Sequence, residues 1–246
     1  MARGKGGRKS VSFQPNESAG NSDSGEITNG DGEHTEHQAT VSGVKPNVPS
    51  LTFPIIPVQN LLIVYYMFYS GLTENIADTL FSGLWTIIIT QISSGSLILY
   101  ASKKKTKKAQ DSTNVPLLLA GSTAIALFLS IPLFIVVILF GAPLAEHLKE
   151  TFLLSVHLSF LIFYPLLVLF KFDLQAFAHN FQVDNMYSLI FNHSVLASSF
   201  MTIVGTWIGV IPIPLDWDRP WQQWPITLLV GGYLGSVVGG LVSLIF

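Results

Sequence analysis

Six long apolar runs constrain the fold of this 246-residue chain more than any other feature. They cover approximately residues 55–70, 81–100, 115–140, 151–170, 187–210 and 226–246. A helix rising about 1.5 Å per residue needs about 20 such residues to cross a hydrocarbon core of about 30 Å. Helices satisfy their own backbone hydrogen bonds in lipid, and these runs lack the alternating pattern of a membrane β-strand. The sequence therefore predicts an all-α, multi-pass transmembrane helical bundle of about six spans.

The first 50 residues have a different composition. They are rich in Gly, Ser, Asn, Thr and acidic residues, and Phe13 is their only aromatic residue. Such a segment buries too little apolar area to offset the entropy of ordering. Its basic opening is not followed by the apolar run of a cleavable signal peptide. We predict a disordered cytosolic tail over residues 1–50 and a six-span membrane domain over residues 51–246.

The distribution of positive charge predicts the orientation. Five lysines lie between the second and third runs, and the side of the membrane that holds them contains every Lys and Arg except Lys149 and Arg219. Because positive residues are retained in the cytosol, both termini are predicted to be cytosolic. The three connections on the far side have at most about 15 residues, far below the about 50 that a separate catalytic domain needs.

Composition excludes several functional classes. A net charge of −2 gives no basic surface for nucleic acid, and the absence of cysteine excludes disulfides and thiolate metal sites. The spans hold almost no ionised residues, and the chain has no HExxH motif. His157 and His193 each stand alone and are predicted to form helix-to-helix hydrogen bonds. The sequence predicts no cofactor, no metal site and no catalytic residue.

A first polar cluster follows the third run, at residues 140–152. Pro143 favours a helix start, which would place Glu146 and Glu150 four residues apart on one helical face beside His147. Two interpretations remain open. The carboxylates bind a cation, such as an ethanolamine-type ammonium or a partner's arginine, or they only favour the positive end of the helix dipole.

A second cluster at residues 209–225 combines four prolines with aromatic and charged residues. The prolines prevent a continuous helix and predict a stiff turn that is either re-entrant or interfacial. Its other candidate residues are Asp216, Trp217, Asp218, Arg219, Trp221 and Trp224. The tryptophans fit an aromatic belt at the headgroup level. The arginine and its neighbouring carboxylates either brace the loop or meet a phosphate.

The last run carries a stripe of small residues, Gly231, Gly235 and Gly239. Such spacing allows two helices to approach closely. Whether that contact forms within the chain or with another chain is left open.

Residues 141–152 and 212–225 together closely resemble the PIG-F family of glycosylphosphatidylinositol (GPI) anchor biosynthesis, in its fungal form. The resemblance implies a multi-pass protein of the endoplasmic reticulum, with both segments in the lumen. It implies a non-catalytic subunit that stabilises and assists the large transferases adding phosphoethanolamine to the third and second mannoses of the GPI precursor. Membrane lipids and that precursor are the other implied partners. We assign partner or lipid binding to Glu146, Glu150, Asp216, Trp217, Asp218, Arg219, Trp221 and Trp224, and helix packing to Gly231, Gly235 and Gly239.

An alternative function belongs to another class, a lipid scramblase or carrier that supplies phosphatidylethanolamine or GPI intermediates to the lumenal face. Polar residues along the fifth run would then line a groove, namely Asn180, Asn192, His193, Ser198 and Ser199. An enzyme acting alone is disfavoured, because phosphoryl transfer needs a nucleophile and strong charge stabilisation that the chain does not offer as a recognisable set.

Overall fold

Eight α-helices and one short 3₁₀ helix form the regular structure of the computed structural model, which describes residues 48–103, 114–143, 145–180, 186–215 and 217–246. The helices are α1 (Gln59–Tyr69), α2 (Ile76–Lys103), α3 (Val115–Leu139), α4 (Leu148–Phe170), α5 (Leu174–His179), α6 (Met186–Asn192), α7 (Ser194–Ile208) and α8 (Ile226–Val242), with the 3₁₀ helix at Pro220–Gln222. No strand occurs in these ranges, so the predicted all-α class is confirmed. The predicted disorder of the tail falls almost wholly on residues 1–47, outside the described ranges.

In the part of the chain that the structure describes, three helices are long and apolar enough to cross a membrane: α2, α3 and α4. The fifth predicted span is a bent pair, α6 and α7, whose axes differ by 105°. The sixth is represented by α8 with 17 residues, and the first by α1 with only 11. At about 1.5 Å per residue, α1 covers about half of a hydrocarbon core. Among the described residues, the helices long enough to span therefore number three, or four with the bent pair, and the count of six stays a prediction.

Proline and glycine limit the length of α1. Pro57 precedes its N-cap, and residues before a proline favour extended backbone, so residues 51–57 do not join the helix. Gly71 follows its end with φ +89°, a conformation that glycine adopts without a Cβ penalty. The apolar run is therefore longer than helix α1, because hydropathy does not show how proline and glycine restrict the backbone.

The segment before α1 contacts the C-terminal end of α2 and the N-terminal end of α7. Thr52 donates from its backbone N–H and from Oγ1 to the carbonyl oxygen of Ala101, at 3.2 and 2.7 Å. The Ile55 N–H donates to Ser194 Oγ at 3.0 Å, and His193 Nε2 donates to the Pro49 carbonyl at 3.1 Å. The Thr52 bonds hold the segment against the end of α2, and the other two bonds hold it against the bend between α6 and α7.

Helix α4 is the centre of the bundle. It packs against α2, α3, α7 and α8, and residues such as Leu154, Phe160 and Tyr164 are completely buried. Helix α3 is peripheral: of the three long helices it has the highest mean hydropathy and the smallest share of buried residues. This burial pattern leaves α3 facing lipid and makes α4 the element on which the others are assembled.

The glycines of α8 lie against the backbone of α7. A Cβ added to Gly235 would lie 2.1 Å from the Met201 carbonyl oxygen, and one added to Gly231 would lie 2.2 Å from that of Gly205. At Gly239 the corresponding distance to the Ala197 oxygen is 2.3 Å. The two backbones therefore approach so closely that no side chain fits between them. The small-residue stripe is occupied by this chain's own helix.

Candidate functional site

The two predicted polar segments meet at one end of the bundle, where α2, α4 and α8 begin; we call it the motif end. Trp224, just before α8, donates from its indole Nε1 to Thr151 Oγ1 in the first turn of α4, at 2.9 Å. Thr151 is completely buried, and its own hydroxyl donates to the His147 carbonyl at 2.7 Å. Trp224 is therefore an anchor between the segments rather than a free member of an aromatic belt.

Gln222 holds the proline-rich loop together. Its Nε2 donates to the carbonyl oxygens of Pro212 and Leu215, both at 2.8 Å. Its Oε1 accepts from the Arg219 N–H at 2.9 Å. One amide thus fastens the loop backbone at three points. Sequence reasoning missed Gln222, although a glutamine among prolines signals backbone carbonyls that lack helical partners.

The outer surface of this loop is aromatic and charged. Trp217 and Trp221 are 54% and 37% exposed, with ring centroids 5.8 Å apart and planes inclined by 60°. Asp218, with φ +46°, and Arg219 are also exposed. Among the described residues no carboxylate lies within ion-pair distance of Arg219, and the predicted fork with two carboxylates stays a prediction. Asp216 lies outside the described residues.

The prediction that Glu146 and Glu150 share a helical face is wrong. Helix α4 begins at Leu148, after His147 as N-cap, so Glu146 precedes the helix and is exposed. Proline suits a first helical turn but does not require one, and here Pro143 lies in the link that follows Gly141 with φ +101°. Glu150 lies in the first turn of α4, with its Oε2 3.8 Å from His147 Nδ1.

Helices α2 and α4 are also linked at the motif end by Lys149 and Asp78, whose Nζ and Oδ1 are 3.6 Å apart. Both side chains are strongly exposed, so this pair adds little stability. Within the described ranges no group of three or more His, Asp or Glu side chains converges on a point that could hold a metal ion.

His157 links three helices, as the sequence predicted for a lone intramembrane histidine. Its Nε2 lies 3.0 Å from the Leu80 carbonyl oxygen of α2, which can only accept, so this nitrogen carries the proton. Its Nδ1 lies 2.7 Å from Tyr233 Oη of α8 and accepts from that hydroxyl. Both side chains are completely buried. Their hydrogen-bonding capacity is used inside the bundle.

Within the described ranges, the polar residues proposed for a lipid-transport groove are buried or hydrogen-bonded to backbone carbonyls. Asn180 Nδ2 and Asn192 Nδ2 donate to the carbonyls one turn back, at 2.7 and 2.8 Å. His193 Nε2 donates to the Pro49 carbonyl in the segment before α1. Ser198 and Ser199 are buried.

Together the long apolar helices, the buried inter-helix polar contacts and the short connections define a polytopic helical membrane protein without a separate globular domain in the described residues. The model of the GPI biosynthesis protein family Pig-F matches residues 55–244, and the chain belongs to this family. The resemblance drawn from the two polar segments is thereby confirmed. No solved structure matches the chain.

Relatives from yeasts align over most of the chain. A protein of Debaryomyces hansenii named glycosylphosphatidylinositol anchor biosynthesis protein 11 is 49% identical over 203 residues, which cover 82% of this chain and 86% of the relative. A Candida albicans protein of the same name is 44% identical, with 78% and 79% covered. The human protein named GPI ethanolamine phosphate transferase, stabilizing subunit, is 40% identical over 109 residues, covering 45% of this chain and 50% of the human protein.

Proposed function

We propose that this chain is a stabilising, non-catalytic subunit of GPI ethanolamine phosphate transferases. The observation that carries the proposal is its similarity to the human protein of that printed name, within a family that matches nearly the whole membrane-embedded body. The proposed catalytic partners are the large enzymes that modify the third and second mannoses, with the GPI precursor and membrane lipids nearby.

The proposed location is the endoplasmic reticulum membrane, with both termini in the cytosol, residues 1–50 as a tail and residues 51–246 as the membrane domain. The lysine-rich connection supports this orientation. It puts the motif end in the lumen, where the phosphoethanolamine acceptor is expected.

Glycosylation provides a test of this orientation. Asn16 lies in the sequence Asn-Glu-Ser, an acceptor for N-linked sugar only in the lumen. We expect no sugar on Asn16 in microsomes, measured as an unchanged gel mobility after glycosidase treatment. An acceptor sequence introduced into the exposed loop before Pro220 should be glycosylated in the same assay. A sugar on Asn16 would show that the orientation is the opposite of the proposed one.

We propose that the partner binds the exposed surface of the motif end. Trp217, Arg219 and Trp221 combine aromatic area with an exposed charge, and tryptophan and arginine dominate binding energy at protein interfaces. Glu146 and Asp218 border this surface as exposed carboxylates. Glu150, close to His147, and Trp224, bonded to Thr151, support it from beneath. We include Asp216 in this proposed binding surface because it directly precedes Trp217 in the sequence.

Weakened assembly is the expected result of Arg219→Ala combined with Trp221→Ala. Each hot-spot truncation costs about 1–2 kcal/mol, so captured transferase should fall by at least about tenfold. The measurement is a tagged pull-down from microsomes, with quantification of the transferase and of unmodified GPI intermediates. Arg219→Lys with Trp221→Phe keeps the charge and an aromatic ring, and is the matched control. Equal capture by the alanine variant, at equal abundance of the subunit, would refute this surface.

A further inference from the structure

The bend between α6 and α7 has no strong local cause in the sequence. Sharp helix bends usually lie at proline, at glycine–serine pairs or where another group interrupts the hydrogen-bond ladder. Residues 186–208 contain no proline, and their one glycine, Gly205, lies far beyond the break. At the break itself, Asn192, His193 and Ser194 are only mildly unfavourable inside a helix. Taken alone, this stretch therefore favours one continuous helix.

The bend also leaves backbone groups without helical partners. In a continuous helix, the N–H groups of Ser194 and Val195 would donate to carbonyls one turn earlier. Both residues are 3% exposed, and no described backbone or side-chain group accepts from either N–H. His193, the N-cap of α7, has extended backbone and makes no side-chain cap. Because unpaired backbone groups are unfavourable in an apolar interior, contacts from outside the two helices are needed to keep the bend.

Residues 49–57, which we call the strap, supply such contacts. His193 Nε2 donates to the Pro49 carbonyl at 3.1 Å, and Ser194 Oγ accepts from the Ile55 N–H at 3.0 Å. The two side chains that bind the strap are thus the two consecutive residues at the break. The strap adds a partner for each of them that a continuous helix does not need.

The strap is itself fixed to two other helices. Thr52 is bonded to the Ala101 carbonyl near the end of α2 through both its N–H and its hydroxyl. Ile56 lies against α8, where a Cβ added to Gly240 would be 3.2 Å from the Ile56 Cα. Because α2 and α8 hold the strap in place, its bonds to the break resist straightening of α6 and α7.

We propose that α6 and α7 form a two-state hinge, which stays bent while the strap is engaged and straightens into one helix when the strap is released. Bent, the 15 residues of α7 cover about 22 Å; straight, the pair covers about 34 Å, enough for a hydrocarbon core of about 30 Å. The strap therefore sets the length of this span. The hinge lies at the end of the bundle opposite the motif end, and it does not depend on the transferase partnership.

Distances between two spin labels test the hinge in the full chain, reconstituted in phosphatidylcholine vesicles. The chain has no cysteine, so labels attach only at cysteines introduced at Tyr187 on α6 and Ile208 on α7, which are 68% and 57% exposed. With an axis angle of 105°, their backbones are roughly 22 Å apart, against roughly 32 Å in a straight helix. We expect mainly the short distance when the strap is intact. A long distance alone in this background would overturn the proposal.

Releasing the strap at the break provides the second arm. His193→Phe combined with Ser194→Ala removes the donor to Pro49 and the acceptor for the Ile55 N–H. We expect the ratio of long to short distances to rise by roughly tenfold. His193→Gln with Ser194→Thr keeps a donor and a hydroxyl, is the matched control, and should stay bent. Equal ratios in the two variants would contradict the strap.

A third arm releases the strap without changing α6 or α7, so helix propensity at the break stays constant. Ile55→Pro removes the N–H that binds Ser194. Phe53→Pro is its control, because Phe53 is exposed and its N–H binds no described acceptor. We expect Ile55→Pro to raise the long-distance ratio and Phe53→Pro to leave it unchanged. This arm also decides the matter if the double variant at the break fails to fold. An unchanged short distance in Ile55→Pro would show that packing alone sets the bend, and would overturn the proposal.

Discussion

When Gly235 is replaced by alanine, we expect most of the protein to fail to fold. The added Cβ would lie 2.1 Å from the Met201 carbonyl oxygen, 2.9 Å from its carbon and 3.1 Å from the Gly205 Cα. All three are backbone atoms, so no side-chain rotation relieves the overlap and α7 must separate from α8. Overpacking of well-packed cores typically costs about 1–3 kcal/mol, and a backbone clash belongs at or above the upper end.

The control for this substitution is Gly121→Ala in α3. There the added Cβ meets only the ring of Phe172, at 3.2 Å, and the ring can move. Alanine also favours a helix over glycine by about 1 kcal/mol, so this variant should match or exceed the wild type. The measurement is the unfolding midpoint and the recovered monodisperse fraction in detergent. Similar midpoints for the two variants would contradict the close α7–α8 contact.

The close contact between the glycines of α8 and the backbone of α7 limits the surfaces on which a partner helix can dock. Because the α7 backbone already covers Gly231, Gly235 and Gly239, this stripe is unavailable to another chain unless α7 leaves. The sequence left the two alternatives open, since small-residue spacing carries no information on which helix supplies the opposing backbone. Partner contacts are therefore expected on other surfaces, among them the motif end.

The sequence predicted the long helices well because α2, α3 and α4 are continuous apolar runs whose length matches a bilayer. It did not predict the bend at His193. A hydropathy average hides the break, which depends on an extended His193 backbone and on bonds from a segment about 140 residues earlier. The polar sequence Asn-His-Ser at 192–194 inside the run was the available signal, since serine and asparagine favour helix starts.

The candidate site was predicted in composition but not in arrangement. Exposure of Trp217, Trp221 and Arg219 agrees with residues too polar or too amphipathic for the bundle interior. The indole bond from Trp224 to Thr151 joins positions 73 residues apart, and spacing within one segment cannot report such a contact. The role of Gln222 was missed for a related reason, because its three bonds depend on the folded path of the loop.

A double-mutant cycle at His157 and Tyr233 should show strong coupling. His157→Phe leaves the buried Tyr233 hydroxyl without its acceptor, and Tyr233→Phe leaves His157 Nδ1 without its donor. Each orphaned buried group costs about 1–3 kcal/mol. In the double variant both polar partners are absent, and the Leu80 carbonyl keeps the bonding of its own helix.

The double variant should therefore be less destabilised than the sum of the singles by about 1–2 kcal/mol. Thermal unfolding midpoints of the four proteins, converted to free energies at one temperature, measure this difference. Tyr233→Phe combined with Tyr69→Phe is the control, since Tyr69 is strongly exposed on α1 and its effect should simply add. Additive losses for the His157 pair would mean that the histidine is held by packing alone. A positive coupling energy instead identifies the buried hydrogen bond between His157 and Tyr233 as a link that fixes α8 on α4, and so fixes the position of the motif-end loop that precedes α8.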